Sequence, residues 1–319
     1  MKTIEVPQFG GFDQLQVRES DEPAPNPGEI VIAGRASGIN FADVIAVSGN
    51  YLGVPSAPYR PGFEIAGEVS AVGDNVENWK VGDRAMAFVP SGGFSEKLAV
   101  DAKTASPIPD GLDFASATAL LVQGLSAFYL LDSAPLKAGE TLLLSSAAGG
   151  LGSLATQIAL LKGASKVIGL ASPRGHDRVR ELGAEPVNYR EEGWSQRVKE
   201  LAPDGVDVFL DSTGALDGEG FETLSKGARW MIYGAQSDSD APFAKERLFK
   251  MLLQSMTLRG FGLDPQQYDV ARGLKQLSEW VESGQLKVEA DCRYPLAEVQ
   301  RAFEDISNRK THGKVVLEP

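Results

Sequence analysis

The 319-residue chain is poor in metal ligands and thiols: it has one cysteine, Cys292, and two histidines, His176 and His312. A single cysteine excludes an intramolecular disulfide and is typical of a reducing cytoplasm, where we expect this protein to reside. A structural zinc needs about four Cys or His ligands, and a catalytic zinc about three protein ligands. Because the three residues are widely separated in sequence, we expect no metal site.

The chain also lacks a net positive charge and long apolar runs. Its formal net charge is −12, which argues against nucleic acid or an anionic membrane as a main partner. Its apolar runs fall short of membrane-spanning length, and the first residues have no signal-peptide core. With 43% apolar and 23% charged residues, the composition is ordinary for a globular protein, and the length suits two domains.

The richest stretch of the sequence covers residues 140–164. An apolar run, residues 141–144, is short enough for a buried strand, the small residues SSAAGGLG follow, and a helical pattern closes the stretch. A strand, a glycine turn and a helix form the phosphate-binding corner of a dinucleotide fold. The alternative is a glycine-rich turn that only lets a helix pack closely. A second predicted strand, residues 166–171, completes a βαβ unit, so we favour a nucleotide site.

The end of this second strand indicates which nucleotide binds. An NAD site usually has Asp or Glu there to hold the ribose 2′-hydroxyl. Here Ser172-Pro173-Arg174 follows the strand, and the next acid is Asp177. Arg174, Arg178 and the Ser172 hydroxyl suit a 2′-phosphate, although each arginine alone is also typical of a solvated helix surface. The missing acid favours NADPH.

The rest of the chain predicts two kinds of domain. Residues 1–115 contain short strands between turns, which indicates a barrel-like β body. From residue 141 strands and helices alternate, which predicts a doubly wound parallel sheet whose ligands bind beyond the strand ends. We expect a helix ending at Leu224, a polar linker over residues 236–240, a helix over 242–254 and a strand over 256–260. The final strand, from Lys314, has no partner nearby and is expected to return to the N-terminal body.

One irregular stretch in the β body, residues 38–44, carries Asn40 and Asp43 among apolar and small residues. Buried polar side chains need partners. From the residues alone, these two either lock a loop or face a ligand.

Several segments together resemble the zinc-free quinone oxidoreductases of the medium-chain dehydrogenase/reductase superfamily. These segments are Gly38-Ile39-Asn40-Phe41-x-Asp43, Pro61-Gly62-x-Glu64-x-x-Gly67-x-Val69, Gly82-Asp83-Arg84, Ser146 to Gly152, Val187-Asn188-Tyr189, Asp211-Ser212-x-Gly214 and His312-Gly313-Lys314-Val315-Val316-Leu317. The resemblance implies an α/β protein with a GroES-like β-barrel domain, residues 1–118 and 262–319, and a Rossmann domain, residues 119–261. It implies hydride transfer from NADPH to a quinone or activated alkene. The family's zinc-dependent cousins carry Cys near Asn40 and His before Glu64, where this chain has Asn40 and Phe63.

The matching positions imply the site residues. Asn40, Asp43, Tyr51 and Ser126 are the expected catalytic residues. The expected cofactor contacts are Ser146, Gly149, Gly150, Leu151, Gly152, Ser172, Arg174, Tyr189, Ser212, Gly234 and Lys314. This chain departs from the family pattern at two places. In the cofactor pocket, Arg174 lies in the helix start where family members often have a Lys; in the substrate pocket, Ile45 lies where they often have a Tyr.

Two alternative functions and an expected oligomeric state complete the predictions. The alternatives are an enoyl-thioester or 2-enal reductase with the same fold, and a protein that binds NADPH without turnover. The stretch 256–261 ends the parallel sheet and carries one charge, Arg259. Exposed edges invite pairing, and relatives commonly join sheets edge to edge. A homodimer is therefore expected.

Overall fold

The computed structural model describes residues 1–51, 53–54, 56–237 and 241–319, so part of the predicted linker at 236–240 lies outside the described residues. The chain divides into two compact units. Unit 1 comprises Met1–Leu125 and Val270–Pro319, and unit 2 comprises Ser126–Asp269. The predicted boundaries after residues 118 and 261 stay predictions.

Unit 1 is built mainly from antiparallel strands. They are β1 (Lys2–Glu5), β2 (Gln16–Glu19), β3 (Glu29–Ile39), β4 (Glu64–Val72), β5 (Arg84–Phe88), β6 (Lys97–Asp101), β7 (Ala105–Pro107), β14 (Cys292–Pro295) and β15 (Val315–Glu318). Among the described residues the main sheet has the order β14-β15-β3-β4-β5-β7, with β6 also on β3, and β1 pairs with β2. Strand β15 lies antiparallel to β3, with Val315 opposite Ile39. The last strand thus returns to the N-terminal body, as its sequence context predicted.

The helices of unit 1 include one that sequence analysis missed. They are α1 (Phe41–Val47), α2 (Phe114–Thr118), α8 (Val270–Glu282) and α9 (Val299–Ser307). The prediction of an irregular stretch over residues 38–44 is wrong, because β3 extends to Ile39 and α1 begins at Phe41. With seven residues, α1 is too short to show helical periodicity; its start is set by local hydrogen bonds of Asn40 and Asp43.

Unit 2 is a parallel sheet flanked by helices. Its strands are β8 (Thr141–Leu144), β9 (Lys166–Ala171), β10 (Glu185–Asn188), β11 (Val206–Asp211), β12 (Leu224–Ile232) and β13 (Thr257–Gly260), and its helices are α3 (Leu125–Ser133), α4 (Gly150–Leu161), α5 (His176–Glu181), α6 (Trp194–Leu201) and α7 (Lys245–Gln254). All its pairings are parallel, in the order β10-β9-β8-β11-β12-β13 across the described residues. This is the 3-2-1-4-5-6 order of the Rossmann fold. The predicted α/β architecture is confirmed.

The prediction of a helix that ends at Leu224 is wrong. A 3₁₀ turn, Glu219–Thr223, stands there, and β12 already begins at Leu224. The segment after β11 carries Gly214, Gly218 and Gly220. Glycine costs about 1 kcal/mol relative to alanine inside a helix, so three of them leave too little helix-forming chain.

The helical stretch Phe114–Ser133 is the one part of the described chain that is long and apolar enough to cross a membrane. Its most apolar window is 83% buried within the protein, as in a core helix.

Candidate active site and cofactor site

The predicted phosphate-binding corner lies where β8 passes into α4. Gly149 is the N-cap of α4 and has an extended backbone, with φ −80° and ψ 174°. Ser146 precedes it in the left-handed region, at φ 54°. A Cβ on Gly152 would overlap the carbonyl oxygen of Ser146, so only glycine lets the helix start this close to the strand. The first-turn N–H groups of Gly150 and Leu151 have no intrahelical partner and are therefore available to an anion.

The other predicted cofactor residues of unit 2 follow strands that end at the same edge of this sheet. At the ends of adjacent strands, Leu144 pairs with Leu210, Ala171 with Asn188, and Asp211 with Ile232. Because the strands are parallel, the loops carrying Ser146, Ser172, Tyr189, Ser212 and Gly234 leave along one edge. Ligands of open parallel sheets bind at this edge.

Hydroxyl groups form a connected cluster at the centre of this edge. Ser146 Oγ lies 2.8 Å from Ser212 Oγ, and Ser145 Oγ donates to Ser212 Oγ at 3.0 Å. The Tyr233 hydroxyl donates to the Ser145 carbonyl oxygen at 3.2 Å, and burial raises the pKa of Tyr233, which keeps it a neutral donor. Ser145 was not predicted as a site residue. Its position directly after β8 is the sequence feature that could have identified it as a site residue.

Asp211 holds the loop that carries Ser212. Its Oδ1 accepts hydrogen bonds from the Thr213 N–H at 2.8 Å and from the Thr213 hydroxyl at 2.7 Å. Its Oδ2 accepts from Trp230 Nε1 at 3.1 Å, and both side chains are buried. The carboxylate therefore has a clear local role in shaping the loop.

The end of β9 carries a cationic side chain and no adjacent acid. Arg174 is exposed, lies in the 3₁₀ turn Pro173–Gly175, and has no carboxylate partner among the described residues. The nearest acid in sequence, Asp177, is paired with Arg180 at 2.8 Å. Ser172 is the N-cap of the turn, yet its hydroxyl makes no capping bond. These two side chains are thus available to a phosphate.

Unit 1 holds a buried polar cluster around Asn40. Lys314 forms an ion pair with Glu64 Oε1, and its Nζ also donates to Asn40 Oδ1 at 3.1 Å. Asn40 Nδ2 donates to Glu64 Oε1 at 3.0 Å. Glu64 and Lys314 are 0% and 1% exposed. Two buried partners hold the ammonium of Lys314 in the structure, and the cofactor contact expected of this residue stays a prediction. Glu64, quoted only as part of a motif, is the residue that sequence analysis missed.

Asp43 connects the cluster to the start of α1. Its Oδ2 accepts the backbone N–H of Asn40 at 2.8 Å, while its Oδ1 is buried with no partner among the described residues. Burial, the largest cause, raises the pKa of Asp43 to about 7. A buried polar atom without a partner is uncommon in folded proteins. Within the described part of unit 1, the Tyr59 hydroxyl and Gln123 Oε1 are also buried without a hydrogen-bond partner.

The two remaining predicted catalytic residues are Tyr51, in unit 1, and Ser126, in unit 2. Tyr51 is 39% exposed and its ring centroid lies 5.6 Å from that of Phe63. Burial of the hydroxyl and the charge of Asp43 raise the pKa of Tyr51. Ser126 is buried in α3 and belongs to unit 2. The structure thus groups Asn40 and Asp43 in unit 1 and describes Ser126 with the other unit.

Comparisons with known proteins cover the whole chain. The "Alcohol dehydrogenase GroES-like domain" family matches residues 26–110, and the "Zinc-binding dehydrogenase" family matches residues 182–317. A quinone oxidoreductase of Pseudomonas aeruginosa is 33% identical over 330 residues, which cover 100% of this chain and 99% of that protein. The chain belongs to the quinone oxidoreductase family of the medium-chain dehydrogenase/reductase superfamily. The predicted resemblance is thereby confirmed.

Other members of this superfamily are similarly close. The quinone oxidoreductase of Escherichia coli, solved in complex with NADPH, has a TM-score of 0.90 and 31% identity, with 100% of both chains covered. The human synaptic vesicle membrane protein VAT-1 homolog is 32% identical over 340 residues, which cover 100% of this chain and 86% of that protein. The similarity therefore establishes the superfamily and leaves the substrate open.

The zinc-binding name of the second matched family contrasts with the predicted absence of metal. Within the described ranges, no group of three or more His, Cys, Asp or Glu side chains is arranged to hold a metal ion. Zinc independence of this quinone oxidoreductase family member stays a prediction.

Proposed function

We propose that this protein is an NADPH-dependent oxidoreductase that reduces quinones or activated alkenes without a metal. The observation that carries the proposal is the end of β9, which has no adjacent acid. There Arg174, without a carboxylate partner in the described part of the chain, lies near the glycine corner of a quinone oxidoreductase family member. When bound, NADPH supplies the hydride. The α4 N-terminus would hold its pyrophosphate, and Arg174, Ser172 and Tyr189 its 2′-phosphate.

The remaining chain supplies orientation and hydrogen-bond donors. Asn40, Tyr51 and Ser126 are the proposed contacts to nicotinamide or substrate, and Asp43 orients Asn40 through its backbone N–H. Ser146, Ser212 and Gly234 are proposed contacts along the sheet edge. Donors placed where negative charge develops lower the barrier to hydride addition. We also propose a homodimer formed through β13.

The test is a substrate panel followed through the nicotinamide absorbance. Purified protein is mixed with NADPH or NADH and with quinones, 2-enals or an enoyl thioester. We expect NADPH oxidation with quinones or 2-enals, slower oxidation of NADH, and no loss of activity after prolonged chelation. Turnover confined to the thioester would favour the enoyl-thioester reductase. NADPH binding without any turnover would mark a binding protein, and a loss restored specifically by zinc would contradict the metal-free mechanism.

A further inference from the structure

The buried carboxylate of Glu64 joins three parts of unit 1. Glu64 Oε1 accepts from Lys314 and Asn40, and Oε2 accepts the backbone N–H of Val122 at 3.0 Å. Burying a carboxylate and an ammonium costs several kcal/mol per ion, and a well-packed apolar pair is often at least as stable. Stability alone is therefore a weak reason for this pair.

The pair determines the orientation of the Asn40 amide. An ammonium only donates hydrogen bonds and a carboxylate only accepts them. With Oδ1 toward Lys314 and Nδ2 toward Glu64, both ends of the amide are satisfied. A flipped amide would place NH₂ against the ammonium and C=O against the carboxylate. One of the two Nδ2 hydrogens is used by Glu64. The other makes no hydrogen bond of normal geometry within the described residues, although the amide lies close enough to the Asp43 carboxylate to lower its pKa.

The order of the strands brings the side chains of Asn40, Glu64 and Lys314 together. Strand β3 lies between β4, which begins with Glu64, and β15, which follows Lys314, and Asn40 comes directly after β3. A Cβ on Gly38 would overlap both Glu64 Oε1 and the end of Lys314. The missing side chain at Gly38 thus leaves the space that the ion pair fills.

We propose that the Glu64–Lys314 pair is a positioning device that presents the second Asn40 Nδ2 hydrogen to the substrate carbonyl oxygen. The inference rests on the proposed function. As hydride from NADPH adds to the electron-poor carbon, an electron pair moves onto the carbonyl oxygen, and NADP⁺ is left. The Asn40 N–H stabilises that charge without giving up its proton, and water supplies the proton that completes the reduction. Glu64 and Lys314 touch neither reactant and act through Asn40.

A double-variant experiment separates positioning from stability. Lys314→Met or Glu64→Gln alone leaves a buried unpaired charge, so each should lower Tm. The double variant Glu64→Gln/Lys314→Met removes both charges and should recover most of the lost Tm. The amide introduced at position 64 can accept or donate, so the Asn40 amide is no longer held in one orientation. We expect kcat in the double variant to stay at least tenfold below wild type, with the NADPH KM within twofold of wild type.

The controls decide the interpretation. Glu22→Gln/Lys97→Met removes an exposed ion pair of the same unit and should leave both kcat and Tm unchanged. Adding Asn40→Ala to the Glu64/Lys314 double variant should cause little further loss of kcat. If kcat recovers together with Tm in the double variant, the pair is only structural and the proposal is wrong.

A second readout does not depend on turnover. In protein labelled with ¹⁵N at asparagine, the Asn40 side-chain signals are assigned by their loss in Asn40→Ala. We expect slow hydrogen exchange of this NH₂ in wild type and faster exchange in the double variant. Equal exchange in both proteins would overturn the positioning role even in an active enzyme. Slow exchange in a wild type that oxidises no NADPH would support the fixed amide orientation and overturn the proposed reaction alone.

Discussion

Arg174 is the residue on which the proposed preference for NADPH over NADH depends. It is exposed, and no carboxylate of the described chain neutralises it. A charge-assisted hydrogen bond to a phosphate contributes about 1.5–3 kcal/mol. Arg174→Ala should therefore raise the KM for NADPH tenfold or more and leave the KM for NADH nearly unchanged. Steady-state kinetics with both cofactors measures this.

Arg180 is the matched control for Arg174. It lies in the adjacent α5 and is also exposed, but it is paired with Asp177 at 2.8 Å. Arg180→Ala should leave both KM values within twofold of wild type. Equal effects of Arg174→Ala on the two cofactors would contradict the 2′-phosphate assignment.

Asp43 should make folding stability depend on pH. Burial raises the pKa of Asp43 to about 7; the nearby charge of Glu64 acts in the same direction, whereas the Asn40 N–H and the Lys314 charge act against it. In the unfolded chain the pKa is about 3.9. The folded state therefore holds this proton more tightly. This contribution to the free energy of unfolding is largest below about pH 4, falls as the pH rises, and levels off above about pH 7.

Asp43→Asn removes this titration and keeps an oxygen that can accept the Asn40 N–H. Relative to wild type, the free energy of unfolding of the variant should rise by about 2–4 kcal/mol between about pH 4 and pH 8. Urea denaturation across this range measures it. Asp110→Asn, at an exposed position, should run parallel to wild type. A profile of Asp43→Asn that also runs parallel would show that Asp43 does not titrate here.

At the scale of elements, the start of α4 depends on Gly152. A Cβ there would overlap the Ser146 carbonyl oxygen and the backbone of Ala147. Gly152→Ala must therefore push the helix away from β8 and disturb the N–H groups of its first turn. Isothermal titration should show NADPH affinity at least tenfold lower, while a folded circular dichroism spectrum is retained. Gly262→Ala, where a Cβ has no atom within 4 Å, should bind like wild type; equal affinities for both variants would contradict a nucleotide site at this corner.

The elements of unit 2 were largely predictable from sequence because their signals are local. Apolar runs such as Thr141–Leu144 and Val206–Asp211 are buried strands in the structure, and the small residues between β8 and α4 correctly marked the turn. The ends of elements were less predictable. The glycine-rich segment after β11 forms a 3₁₀ turn where a helix was expected, since a few apolar residues at helical spacing do not outweigh three glycines.

The cluster around Asn40 shows what local patterns leave out. Asn40 and Asp43 were identified as polar residues in an apolar context, and whether they lock a loop or face a ligand stayed open. The structure shows the loop-locking bond directly, from the Asn40 N–H to Asp43 Oδ2 at 2.8 Å. The decisive partner of Asn40, Lys314, lies 274 residues away in sequence. Such a contact follows from the pairing of β15 with β3, which no periodicity specifies.

At the scale of the whole molecule, β13 offers an edge for assembly. Thr257–Gly260 are all exposed and pair with β12 alone in the described parts of the chain. Helix α7, just before it, exposes apolar side chains: Leu248 is 58%, Phe249 62%, Leu252 70% and Leu253 63% exposed. An exposed strand edge beside an apolar surface favours pairing with a second copy. A two-fold axis would place β13 antiparallel to itself and extend the sheet.

Leu258→Pro tests this dimer at one backbone group. The Phe261 N–H donates to the Ile232 carbonyl oxygen at 2.8 Å, and alternation along the strand then directs the Leu258 N–H away from β12. Proline removes this outward donor and spares the bonds to β12. We expect a monomer by light scattering with NADPH affinity unchanged, whereas Leu258→Thr, which keeps the N–H, should stay dimeric. A wild-type protein that is already monomeric at micromolar concentration would contradict the dimer, because an edge that binds a second copy must hold it at the concentration at which the enzyme is assayed.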